Sequence, residues 1–114
     1  MFDIVTTEEF EAWFDELDKQ QGRAIAVKIG MLRAEGWTLG FPHSSALKGT
    51  RYALRELRSE PGGHALRVIY GFDPLRRAVL LLGGDKTGDD RFYERMIRQA
   101  ERLWEQHIAE IADE

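Results

Sequence analysis

Residues 65–82 read Ala-Leu-Arg-Val-Ile-Tyr-Gly-Phe-Asp-Pro-Leu-Arg-Arg-Ala-Val-Leu-Leu-Leu. From Ala65 to Phe72 the period is two: Leu66, Val68, Tyr70 and Phe72 point one way, Arg67 and Ile69 the other. Asp73-Pro74-Leu75-Arg76 is a turn. Ala78 to Leu82 is apolar throughout, as in a strand covered on both faces. Upstream, Tyr52 to Arg58 reads as a less regular strand, set off by the turn cluster Ser59-Glu60-Pro61-Gly62-Gly63. Three consecutive strands with short links predict an antiparallel meander.

Toward the N-terminus, residues 2–5 predict a short strand. Thr6 and Glu9 match a capping box that opens a helix. In that helix Phe10, Trp13, Phe14 and Leu17 make an apolar stripe at i, i+3, i+4 and i+7. A second helix is predicted over about 19–35, with Ile25, Ile29 and Leu32 on one face and Gly36 as its stop. Residues 37–50 show no period and read as irregular. Past the meander, Gly83 to Gly88 is a loop, and Asp89 or Asp90 is placed to cap a last helix. That helix carries Met96, Ile97, Ala100, Leu103, Trp104, Ile108 and Ile111 on one side. The predicted order is βααβββα: an α+β fold in which two N-terminal helices and a C-terminal helix pack on a small antiparallel-rich sheet.

The 114 residues suit one domain, residues 1–114. There is no cysteine, which removes disulfides, thiolate metal sites and thiol catalysis and fits a reducing cytoplasm. The opening residues lack the basic and apolar regions of a signal peptide, and no apolar run approaches a membrane span. The net charge of −4 conceals a pattern: −4 over residues 1–46, +4 over 47–77 and −4 over 78–114. A basic island thus lies between acidic flanks, which argues against general nucleic-acid binding but allows a local phosphate site.

The basic set is Lys48, Arg51, Arg55, Arg58 and Arg67, with Lys86 just past the last strand. Pairing across the Pro61-Gly62-Gly63 turn can bring Arg58 beside Arg67. Like charges opposite one another weaken a sheet, so such a pair suggests a bound anion. Guanidinium donors match phosphate oxygens and stay charged near neutrality. The plainer reading is a solvated face with salt bridges to Glu56, Glu60 or the helices. Tyr93 is a candidate for proton transfer, as a base only if nearby cations lower its pKa; otherwise it is core. His64, beside the strand of Arg67, is a candidate acid–base group. His107 shares a seam with Ala100, Trp104 and Ile111 and reads as packing. The three histidines lack zinc spacing, and Asp85, Asp89 and Asp90 read as capping residues rather than Mg²⁺ ligands. No metal or other cofactor is expected.

Leu54-Arg55-Glu56-Leu57-Arg58, the strand Arg67-Val68-Ile69-Tyr70, and Gly84-Asp85-Lys86 followed by Arg91-Phe92-Tyr93, in the order βααβββα, resemble the RelE/HigB superfamily of bacterial type II toxins. The nearest branch is the phage-derived Gp49-like one, and the similarity spans about residues 2–111. The resemblance implies a messenger-RNA endonuclease (an mRNA interferase) that acts on the ribosome and inhibits translation. It implies neutralisation by a HigA-like helix-turn-helix antitoxin, with operator DNA bound only through that partner. By position it implies catalytic roles for Arg58, Arg67, Lys86 and Tyr93, while Lys48, Arg51, Arg55 and His64 are candidates for RNA contact. Net acidity and a long acidic C-terminal helix depart from the family, and both weaken phosphate neutralisation.

The implied chemistry is attack of the RNA 2′-hydroxyl on the adjacent phosphate, which needs a base, cations around phosphorus and an acid, but no metal. Arg58 and Arg67 are expected to converge on one phosphate-sized spot. Arg67→Ala is expected to abolish cleavage and spare the fold. If those side chains are scattered to opposite surfaces or locked in internal ion pairs, the reading in which these guanidiniums make a ribonuclease fails. A ParE-like toxin that poisons gyrase and an inactive antitoxin-binding module are the alternatives on the same fold.

Overall fold

The computed structural model describes residues 1–113; Glu114 lies outside the described residues. The elements are β1 (Ile4–Thr6), α1 (Glu8–Asp15), α2 (Lys19–Glu35), β2 (Ser44–Ala46), β3 (Arg55–Ser59), β4 (Leu66–Phe72), β5 (Ala78–Asp85) and α3 (Phe92–Ala112). The sheet order is β1-β5-β4-β3-β2. β3, β4 and β5 form the predicted antiparallel meander, and β1 joins its far edge parallel to β5. The fold is α+β and its three helices fall in the expected segments, though α1 ends at Asp15, short of Leu17.

The sheet itself differs from expectation in two places. β2 lies inside the stretch read as irregular, because three residues, Ser44-Ser45-Ala46, are too short to show a period. They become a strand by pairing antiparallel with the open edge of β3. β3 also begins at Arg55 rather than Tyr52. The residues before it are held by α3 instead: Thr50 Oγ1 donates to Glu101 at 2.7 Å, and Arg51 Nη2 pairs with Glu105 at 2.6 Å. The order is therefore βααββββα.

The caps also shift. Thr6 is the last residue of β1, paired with Leu80. Thr7 caps α1 instead, accepting from the Phe10 amide at 3.0 Å. The capping box belongs to α2, where Asp18 accepts from the Gln21 amide and Gln21 reaches back to the Asp18 amide. Gly36 ends α2 at φ 57°, and the Phe2 ring fills the space a Cβ would take. Arg91, not Asp89 or Asp90, is the N-cap of α3; Asp89 accepts from its amide at 3.1 Å.

Two cores sandwich the sheet. On one face Phe10 of α1 and Ile25 and Leu32 of α2 meet Leu57, Leu66, Val68, Tyr70 and Leu80. On the other, Phe92, Met96, Ala100 and Leu103 of α3 meet Leu54, Ile69, Val79, Leu81 and Leu82. A register shift between Ile69 and Tyr70 puts an extra residue in β5, so Leu81 and Leu82 both serve the α3 side. That bulge turns Gly83 toward Trp13, whose ring would collide with any side chain there. Truncating a fully buried leucine such as Leu57 or Leu80 to alanine should cost about 2–5 kcal/mol. Among the described residues no helix is long and apolar enough to cross a membrane.

Candidate active site

Alternation along β3 sends Arg55 and Leu57 toward α2, and Glu56 and Arg58 toward α3. Pairing sets Ser45 of β2 opposite Glu56, and Arg67 of β4 opposite Arg58. The first turn of α3 adds Tyr93. These pairings assemble a cluster around the Glu56 side chain, which is only 7% exposed. Tyr93 Oη donates to Glu56 Oε1 at 2.7 Å, and Ser45 Oγ donates to Oε2 at 3.2 Å. Arg58 Nη1 lies 3.4 Å from Oε2, and Arg67 Nε lies 3.7 Å from Oε1. Glu56, Arg58, Tyr93, Ser45 and Lys48 line a cleft of about 480 Å³. Lys86 sits over the Tyr93 ring, 5.5 Å from its centroid.

Arg58, Arg67, Lys86 and Tyr93 thus gather in one place, but a carboxylate occupies its centre. Arg67 is a buried side chain, 2% exposed, paired with Glu56 and, at 3.0 Å, with Glu60. Its Nη1 also donates to the Leu66 carbonyl at 2.9 Å, while Nε lacks a hydrogen-bond partner. The repulsion expected between paired arginines is thus relieved by internal acids. The ion pairs are those the plainer reading describes, but Arg67 is buried rather than on a solvated face, and Glu60 stands on its outer side. Nor is Arg67→Ala a surface change: it would strip a buried carboxylate of a cation and open a cavity. Arg58, about a quarter exposed, and Lys48 are the cations that line the cleft, with Lys86 beside it over the Tyr93 ring.

Tyr93 is half-buried. Burial pushes its phenol upward, the hydrogen bond to Glu56 and the Glu56 charge add to this, and Arg67 opposes. The direction is opposite to that required of a base, and the phenol donates its hydrogen bond to Glu56. The base candidate is Glu56, which sequence reasoning met only as a salt-bridge partner. The available signal was position: Glu56 shares a strand face with Arg58, and Arg58 faces Arg67 across the turn.

The other candidates go elsewhere or stay at the margin. Lys48 is exposed on the cleft wall. Arg51 is engaged with Glu105 on α3. Arg55 turns to the opposite face, where its Nε donates to Ser44 Oγ at 3.2 Å and Tyr70 Oη at 3.3 Å. His64 Nδ1 meets Asp85 Oδ2 at 2.7 Å, beyond the end of β4 and exposed. Burial pushes the Asp85 carboxyl up, but hydrogen bonds from Thr87 and His64 outweigh it and hold the carboxyl below its usual range. Among the described residues no group of three or more His, Cys, Asp or Glu side chains is placed to hold a metal ion.

A second buried carboxylate lies at the other end of the sheet. Asp73, fully buried, accepts from the Leu75 and Arg77 amides at 3.0 Å each. It also accepts from Arg77 Nε at 2.9 Å and meets His107 Nε2 at 3.0 Å. His107 is therefore more than the packing residue its seam implies. Arg77 and His107 line a cleft of about 440 Å³ with Glu8, Glu9 and Glu110.

The profile of the phage-derived Gp49-like family matches residues 12–105. HigB3 of Mycobacterium tuberculosis, named as a candidate toxin, is 35% identical over 108 residues, 93% of this chain and 93% of that protein. HigB2 of the same organism, also named as a candidate toxin, is 31% identical over 109 residues, 93% of this chain. The match covers 54% of HigB2, so this chain spans about half of that relative. The chain belongs to the phage-derived Gp49-like family and, with it, to the RelE/HigB superfamily.

Proposed function

We propose that this protein is the toxin of a toxin–antitoxin pair, and that the Glu56 cleft cuts messenger RNA held on the ribosome. The names of HigB2 and HigB3 support the first part. One observation carries the second: a nearly buried carboxylate, a neutral phenol and the cations Arg58 and Lys48 line a single cleft, with Lys86 over the phenol ring. Glu56 takes the proton of the RNA 2′-hydroxyl. The 2′-oxygen then bonds to phosphorus as the bond to the 5′-oxygen breaks, and Tyr93 gives its proton to that leaving oxygen. The hydrogen bond between Glu56 and Tyr93 returns the proton and resets the pair. Arg58 and Lys86 offset charge on the phosphorane, and Arg67 holds Glu56 in place from beneath. The products are a 2′,3′-cyclic phosphate and a 5′-hydroxyl, and the scheme calls on no metal. With so few groups, orientation of the RNA matters, and the ribosome would supply it. The partner is a HigA-like helix-turn-helix antitoxin, which restrains the toxin and binds operator DNA.

Mapping of transcript ends by primer extension after induction tests the reading. Wild type should give discrete cuts with cyclic-phosphate ends, and Glu56→Gln should give none while remaining folded. The internal pairing of Arg67 favours the rival, non-nucleolytic readings. Intact transcripts with damaged DNA would establish the gyrase-poisoning alternative. Intact transcripts with unimpaired growth would leave an inactive module.

A further inference from the structure

Phe41 is 77% exposed, against the general tendency of a large aromatic side chain to find cover. It stands beside the cleft rather than apart from it, because the Arg58 guanidinium lies over its ring, 5.4 Å from the centroid. Arg58 in turn is a wall of the cleft and a partner of Glu56. The turn that carries the ring is also firmly placed. The Gly40 carbonyl accepts from the amides of His43 and Ser44 at 3.0 and 3.1 Å, closing the turn that carries Phe41. The Arg58 amide donates to the His43 carbonyl at 2.9 Å, which ties this turn to β3. Lys28 Nζ and His43 Nδ1, 2.8 Å apart, hold it against α2. A solvent-facing aromatic ring on an anchored turn, beside an accessible guanidinium, is the arrangement that receives an unpaired base, since every base offers a π-face.

We propose that Phe41 is the stacking platform for a nucleobase next to the phosphate that the Glu56 cleft cuts. The inference rests on the nuclease reading above. The guanidinium leaves most of the ring open, so a base can stack there while Arg58 neutralises the neighbouring phosphate. Stacking tolerates any base, so the platform would demand single-stranded RNA without dictating sequence. Arg58 over the ring and the exposed Lys48 on the cleft wall suit an anionic strand better than a peptide lacking charge.

The experiment measures cleavage of one messenger on programmed ribosomes by wild type, Phe41→Ala, Phe41→Leu, Phe41→Trp and Glu56→Gln. Phe41→Ala and Phe41→Leu should raise KM by roughly 5- to 100-fold with kcat nearly unchanged, and Phe41→Trp should restore KM. If Glu56→Gln is silent but Phe41→Ala and Phe41→Leu keep the wild-type KM, the platform is refuted and the nuclease reading stands. If wild type does not cut, or Glu56→Gln cuts equally well, both fall together. Unchanged KM with lost neutralisation by the antitoxin would assign the ring to a protein partner and overturn the inference.

Discussion

Asp73 and Glu56 are both buried carboxylates flanked by cations, yet they are built in opposite ways. Asp73 is satisfied largely by its own turn: two backbone amides and the Arg77 side chain come from residues within four positions, and His107 completes the set. Glu56 has only side chains around it, drawn from β2, β3, β4 and α3. One of those partners, Arg67, has a buried nitrogen without a hydrogen bond. A carboxylate held by local backbone serves the fold. One held loosely by distant side chains at the floor of a cleft is free to exchange a partner for a substrate. An incompletely satisfied polar group is expected where function, not stability, set the arrangement.

The widest separation between the two sites should come from Glu56→Gln, which should lower the cleavage rate by about a hundred- to ten-thousand-fold. Circular dichroism should show the protein still folded. Loss of native structure in that variant would erase the contrast.

Asp73→Asn should do the reverse. It puts an amide where Oδ2 receives Arg77 and His107, and should cost about 3 kcal/mol in urea unfolding with the cleavage rate intact. A loss under about 1 kcal/mol would mean that Asp73 is as expendable as a surface acid.

Acid sharpens the same contrast. Burial pushes the Asp73 carboxyl up, but hydrogen bonds from His107 and from the Arg77 amide and guanidinium outweigh it and hold the pKa below its usual value. A carboxyl depressed in the folded state contributes stability above its unfolded pKa and loses it as pH falls through the folded value. The stability gap between wild type and Asp73→Asn should therefore be full at neutral pH and close progressively below about pH 4. A gap that widens with acid would contradict the assignment.

The smallest effect belongs to Glu60→Gln. Its carboxylate is 57% exposed and caps Arg67 from outside, so unfolding free energy should move by less than about 1 kcal/mol. Removing that competing anion should tighten RNA binding about threefold. Weaker binding would show that Glu60 supports the site rather than screening it.

Much of the frame was legible because period and punctuation agree. The second helix was predicted over about 19–35 and observed at Lys19–Glu35, ended by Gly36 as read. The alternation Leu66, Val68, Tyr70, Phe72 against Ile69 matches the two cores. What escaped was set by partners distant in sequence. Ser44–Ala46 is a strand only because β3 offers it an edge. Thr6 fits a capping box by spacing but is claimed by β5, which moves the cap to Thr7. Part of the candidate site was legible: strand pairing put Arg58 beside Arg67, and the family resemblance added Lys86 and Tyr93. That the centre would be a carboxylate, with Arg67 sealed beneath it, depends on side-chain depth that charge and spacing do not encode.

The parallel union of Ile4–Thr6 with Ala78–Leu80 carries a consequence for manufacture. β1 must wait for β5, about seventy residues later, so a growing polypeptide cannot finish this sheet until Leu80 has been added. Lys86 and Tyr93 emerge later still. Vectorial synthesis alone would thus keep the Glu56 cleft unassembled until Lys86 and Tyr93 have been made.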